Sequence, residues 1–163
     1  DSKVWIDLLR NLKEKYRNGL FFLLGSDQSE IGNNTLNEFQ KSKAFINLMG
    51  KLSIHETASL ISSLDILIGV DSSLKTIADA VGTESIVISG ATNYLRSHPI
   101  ETPHHITRLD LSCSPCDIFG PTKWDSCDHR SCIYKLNSSF VIKDVNNYLN
   151  QRNLIRTKEI NSA

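Results

Sequence analysis

Cys113, Cys116, Cys127 and Cys132 are the chain's only cysteines, and all four fall in the stretch CSPCDIFGPTKWDSCDHRSC. A C-x2-C pair, ten further residues and a C-x4-C pair form a layout in which thiolates can close a tetrahedral zinc or iron site. Pro115 and the turn-prone FGPT suit a knuckle that wraps back on itself. The second gap is short for a zinc ribbon, so His129 is an alternative to one thiolate. Four protein ligands leave no open coordination position, so the expected zinc or iron is structural. Free or redox-active thiols are the other reading of the same residues.

A second group of reactive residue types follows the apolar runs. Four short segments combine glycine, hydroxyl and charge: Gly25-Ser26-Asp27, Gly50-Lys51-Leu52-Ser53, Asp71-Ser72-Ser73 and Gly90-Ala91-Thr92. Glycine permits close backbone approach, hydroxyls donate and accept, and Lys51 offers a compact positive charge to a phosphate. Together they suit a nucleotide carrying a sugar. Each taken singly also reads as a plain turn or helix cap. Asp71 is the most informative, because a carboxylate favours a helix N-terminus but repels a phosphate placed there. In a functional edge, Asp71 accepts hydrogen bonds from sugar hydroxyls while Ser72, Ser73 and nearby N–H groups face phosphates. Lys75 lies at the wrong end of its helix for a cation. It reads either as the counter-charge to a diphosphate or, more commonly for lysine, as a solvated surface residue.

These segments need a scaffold that aligns them. DSKVWIDLLRNLKEKY places Val4, Trp5, Leu8, Leu9, Leu12 and Tyr16 at helical spacing. The runs LFFLLG, AFINLMG, ILIGV and ESIVISG read as strands, the first covered on both sides as in a parallel sheet. Between them, Ser53 can cap a helix bearing Ile54, Ala58, Ile61 and Leu64 on one face, and SLKTIADAVG reads as a helix stopped by Gly82. Strands alternating with helices predict an α/β fold with an open parallel sheet, whose ligands collect outside the carboxyl ends of the strands. Residues 91–136 have weak periodicity and are expected to be largely irregular. His98, His104 and His105 lie there and could line the cleft, whereas His55 falls on the polar side of its helix. A closing helix follows, capped by Ser138 or Ser139, with Val141, Val145, Tyr148 and Leu149 inward.

The 163 residues suffice for one domain with its own core. Lysine and arginine balance aspartate and glutamate at 18 each, so no global field draws the chain to nucleic acid or an anionic membrane. Aromatic and basic residues are sparse around the cysteines, which argues against a nucleic-acid-binding finger. No apolar run reaches transmembrane length and no secretory pattern opens the chain, so a cytoplasmic protein is expected, in which a metal is favoured over disulfides. The chain opens at Asp1 and enters a helix almost at once, so it is expected to be a piece of a longer protein.

In their order, WIDLLRNL, LLGSDQSE, GKLSIHETASLISSLDILIGVDSS, IVISGAT, the cysteine-bearing segment and the last helix resemble the C-terminal half of glycosyltransferase family 9. These are the heptosyltransferases of lipopolysaccharide inner-core synthesis. The resemblance implies a GT-B architecture of two Rossmann-like domains. Residues 1–155 would form the nucleotide-sugar donor domain, including a cysteine knuckle at 111–136, and 156–163 a frayed tail. The N-terminal acceptor-binding domain would lie outside the sequence. It further implies ADP-heptose or a similar nucleotide sugar as donor, a lipopolysaccharide-type or protein acceptor, inversion at the anomeric centre and no catalytic metal. A location in the cytoplasm, peripheral to the inner membrane, goes with this.

By position, Glu30 falls near the acid that holds the adenosine ribose, and Lys51, Leu52 and Ser53 match the turn beside the nucleotide. Asp71 and Ser72 match the acid and hydroxyl at sugar and phosphate, and Gly90 and Thr92 match the next loop. The family usually has glycine at position 73 and histidine at position 76. Ser73 adds a side chain where backbone should approach phosphate, and Thr76 lacks an imidazole donor. The catalytic base belongs to the other domain, so this chain is expected to bind but not turn over. The alternative is a catalytically silent nucleotide-binding or scaffold module with a degenerate donor site.

Overall fold

The structure is a computed structural model that describes residues 2–26, 29–116 and 127–152. Asp27, the middle of the expected knuckle at 117–126 and the expected tail at 156–163 lie outside the described residues. In chain order the elements are α1 (Ser2–Lys15), β1 (Phe21–Leu23), α2 (Glu30–Phe39), β2 (Phe45–Asn47), α3 (Ile54–Ile61) and β3 (Leu67–Val70). They continue as α4 (Ser73–Ala80), β4 (Ser85–Ile88), α5 (Tyr94–Ser97), β5 (His104–Thr107), α6 (Ser131–Tyr134) and α7 (Ser138–Arg152).

Every strand pair is parallel, as the alternation of strands and helices predicts. β1 pairs with β2 through Phe21 opposite Phe45, while β4 lies between β3 and β5 with Ser85 opposite both Leu67 and His104. The hydrogen bonds form two ladders, β1-β2 and β3-β4-β5, with a cleft between β1 and β3. β5 is the strand that the weak periodicity of residues 91–136 concealed.

The periodic face of α1 buries Leu8 and Leu12, which meet Val141, Val145 and Leu149 of α7 and Ile86 of β4 in one cluster. Chain ends far apart in sequence thus share a core. A second cluster, Ile61, Leu67 and Ala78, packs α3 and α4 against β3. Ile54 departs from expectation. As the first residue after the Ser53 cap it stands 73% exposed, outside the buried stripe. The cap of α7 also differs. Asn137 Oδ1 accepts from the Phe140 N–H at 2.9 Å and from the Ser139 hydroxyl at 2.7 Å, so asparagine takes the place expected of Ser138 or Ser139.

Candidate functional site

Parallel strands deliver their carboxyl ends, and the helix N-termini that follow, to one edge. Ser29, Ser53 and Ser72 each precede a helix there, yet they do different work. Ser29 accepts from the Gly32 N–H at 3.1 Å. Ser53 closes a capping box: its hydroxyl lies 2.7 Å from the Glu56 carboxylate, which also takes the Ser53 N–H at 2.8 Å. Those bonds hold the Glu56 carboxyl below its ordinary value. Ser72 makes no side-chain bond to α4. Its hydroxyl is not committed to capping.

Ser72 and Ser73 line a cleft of about 1420 Å³ together with Gly25 and Ser26, which follow β1. Ser29, Gly32 and Met49 extend this polar end, and Lys75 reaches it from the first turn of α4. Gly32 sits inside α2 because a Cβ there would come within 2.6 Å of Met49 Sδ. A glycine inside a helical stretch was the sequence signal for that close approach.

The burial of Lys75 departs from the reading of a solvated surface residue. It is 5% exposed, and its ammonium pairs with Asp71 at 2.6 Å. A carboxylate ahead of α4 offsets a cation that the helix dipole alone would disfavour. Asp71 thus has an internal donor where sugar hydroxyls were expected. Beside the pair, Ser89, Tyr94 and His98 line a small crevice, and the buried Ser89 Oγ has no hydrogen-bond partner among the described residues. Of the three, His98 is one of the histidines expected to line the cleft, whereas Ser89 and Tyr94 did not stand out in the sequence.

The remaining expected residues stand elsewhere along the edge. Glu30 opens α2 and is exposed. Lys51 is exposed with its ammonium on the Asn47 carbonyl at 2.9 Å, and Leu52 is half-buried. Thr92 is exposed, and Gly90 faces Ile133, whose Cδ1 would lie 2.3 Å from a Cβ at position 90. The cleft brings together Ser72 and Ser73 but is not lined by Glu30, Lys51, Leu52, Ser53, Asp71, Gly90 or Thr92.

None of the four cysteines is in a disulfide. Among the described residues, no three of His, Cys, Asp and Glu are gathered into a metal-holding group. No helix among the described residues is long and apolar enough to cross a membrane.

Residues 1–119 match the family model of glycosyltransferase family 9 (heptosyltransferase). The chain belongs to that family. The fold of this family 9 chain is similar to that of the E. coli ADP-heptose lps heptosyltransferase II structure, with a TM-score of 0.68 and 18% identity. The match covers 94% of this chain and 42% of that one, so the family 9 chain spans less than half of the solved structure's length. No curated protein matches it in sequence.

Proposed function

We propose that the chain is the nucleotide-sugar donor half of an inverting glycosyltransferase, taking ADP-heptose or a close analogue and serving a lipopolysaccharide-type or protein acceptor. Family membership supplies the reaction class. The observation that carries the reading is the cleft edge, where Ser72, uncommitted to capping, stands with Ser73, Gly25 and Ser26 beside the start of α4. Ligands of open α/β sheets bind at such an edge, and helix N-termini favour the negative charge of a diphosphate.

In this reading a carboxylate of a second, acceptor-binding domain removes the acceptor hydroxyl proton. The acceptor oxygen then bonds to the anomeric carbon from the face opposite the leaving group. The bond to the diphosphate breaks, and its charge falls toward α4, Ser72, Ser73 and Lys75 without a catalytic metal. The reading also places the reaction in the cytoplasm, peripheral to the inner membrane.

Titration of the folded chain with ADP and ADP-heptose tests it by calorimetry. Saturable binding of both, weakened by Ser72→Ala, is expected. No binding at millimolar ligand overturns it. The engagement of Asp71 by Lys75, with Ser73 and Thr76 in place of the family's glycine and histidine, favours a second reading, a silent nucleotide-binding or scaffold module. Binding of ADP without any gain from the heptose would support that one.

A further inference from the structure

The cysteine segment belongs to no part of the donor cleft. Its first half is tied to the loop after β4 by two bonds: the Ser114 hydroxyl donates to the Gly90 carbonyl at 2.7 Å, and the Cys116 N–H donates to the Ala91 carbonyl at 2.9 Å. Its second half abuts the same loop, because a Cβ on Gly90 would lie 2.3 Å from Ile133 Cδ1 and 3.6 Å from the Cys132 carbonyl oxygen. The absence of a side chain at Gly90 lets α6 approach. Two cysteine pairs distant in sequence therefore dock on two consecutive residues.

The turns around the sulfurs are shaped for thiolates. Arg130 adopts a left-handed conformation (φ 38°, ψ 37°), uncommon for a residue with a side chain, and its N–H donates to Cys127 Sγ at 3.3 Å. An N–H aimed at sulfur orients a ligand and spreads its charge, as partners outside the coordination shell do in metal sites. His129 spends its Nδ1 on the Ser131 N–H at 3.2 Å, which favours the four cysteines over His129 as the donor set.

We propose that Cys113, Cys116, Cys127 and Cys132 bind one divalent zinc or iron ion that clamps the two cysteine segments onto the Gly90–Thr92 loop. Four thiols lose four protons to the solvent as four metal–sulfur bonds form, leaving a tetrathiolate centre with no redox change. Among the described residues the cysteine side chains do not converge on a common point. Both segments already dock on the Gly90–Ala91 loop, and gathering the four sulfurs is what the ion adds. A soft four-sulfur donor set selects zinc or iron over magnesium and calcium.

The test is metal analysis of the chain purified anaerobically under reducing conditions, read independently of any sugar transfer. About one equivalent of zinc or iron per chain is expected. All four thiols should resist a thiol reagent until a chelator is added, and cobalt substitution should give an intense sulfur-to-metal absorption band. Zinc and ferrous iron both leave the protein nearly colourless, metal analysis tells them apart, and either supports the site. Cys132 is buried, so Cys132→Ser could lose the fold. Cys113 is exposed, and Cys113→Ser should fold yet lose most of the metal. A folded, metal-free chain with four promptly reacting thiols and no cobalt band overturns the proposal.

Discussion

Lys75 shows how a single residue's role is set by its neighbour four positions back. Its ammonium is buried in the first turn of α4, where the helix dipole opposes it, and Asp71 supplies the charge that the position demands. The two halves of this pair are not equivalent. Lys75→Met leaves a carboxylate at a helix N-terminus, a location that suits it, whereas Asp71→Asn leaves a buried cation facing the positive end of the dipole. Breaking a buried pair costs about 3–5 kcal/mol. Asp71→Asn should fall in that range and Lys75→Met about 1 kcal/mol below it, the dipole accounting for the difference. Urea unfolding of the two variants checks the order, and a milder Asp71→Asn would contradict it. The sequence placed Asp71 and Lys75 one helical turn apart, but burial of the lysine depends on packing against β4 and the loop beyond it, and no local pattern reports that.

At the scale of elements, one acid end-stops a loop. Asp79 near the end of α4 accepts the N–H groups of Ile100, Glu101 and Thr102 and the Thr102 hydroxyl, and so fixes the turn that leads into β5. Burial pushes its carboxyl up, but these four bonds outweigh burial and leave it below the ordinary value. A depressed acid stabilises the fold above its unfolded value near about 3.9, and the contribution disappears as pH falls through the folded value. Asp79→Ala should cost about 1–2 kcal/mol at neutral pH and nearly nothing once Asp79 is protonated. Faster amide exchange at residues 100–102 would accompany it. A comparable fit governs Gly90, where alanine should cost about 1–2 kcal/mol by pressing on Ile133, and Ile133→Ala in the same chain should recover part of it. The helices with long apolar stripes and the capping box at Ser53 were legible in the sequence. β5 was not, because its four residues, HHIT, form an edge strand with too little chain to show a period. The cap of α7 was misplaced by one or two positions because Asn137 and the two serines after it are all competent caps.

Across the whole molecule, the bonds that fasten α7 and the candidate cleft edge lie at opposite ends of the strands. At the amino ends of the strands, Glu84 accepts from the Tyr148 hydroxyl at 2.6 Å and from Arg152 at 3.0 Å, and His105 meets Asp144 at 2.7 Å, so α7 is bolted beside β4 and β5. Burial and the adjacent Glu84 push the Tyr148 hydroxyl well up, so it remains a donor across the physiological range. The candidate cleft edge and the cysteine segment lie at the carboxyl ends instead. Between the two, Leu8 of α1 is fully buried against the α7 stripe and Ile86, which joins the first and last described helices through one side chain. Leu8→Ala removes that contact and leaves a cavity, at a cost of about 2–5 kcal/mol. Tyr148→Phe removes one hydrogen bond while Arg152 still satisfies Glu84, for about 1 kcal/mol. Because Tyr148 does not line the cleft, whereas Leu8 does, the folded fraction of the Tyr148→Phe variant should bind ADP with the affinity of the parent chain. Denaturant unfolding and calorimetric titration of the same samples separate the two quantities. A Tyr148→Phe chain of near-parent stability that had lost ADP affinity would show that the two ends of the sheet are coupled.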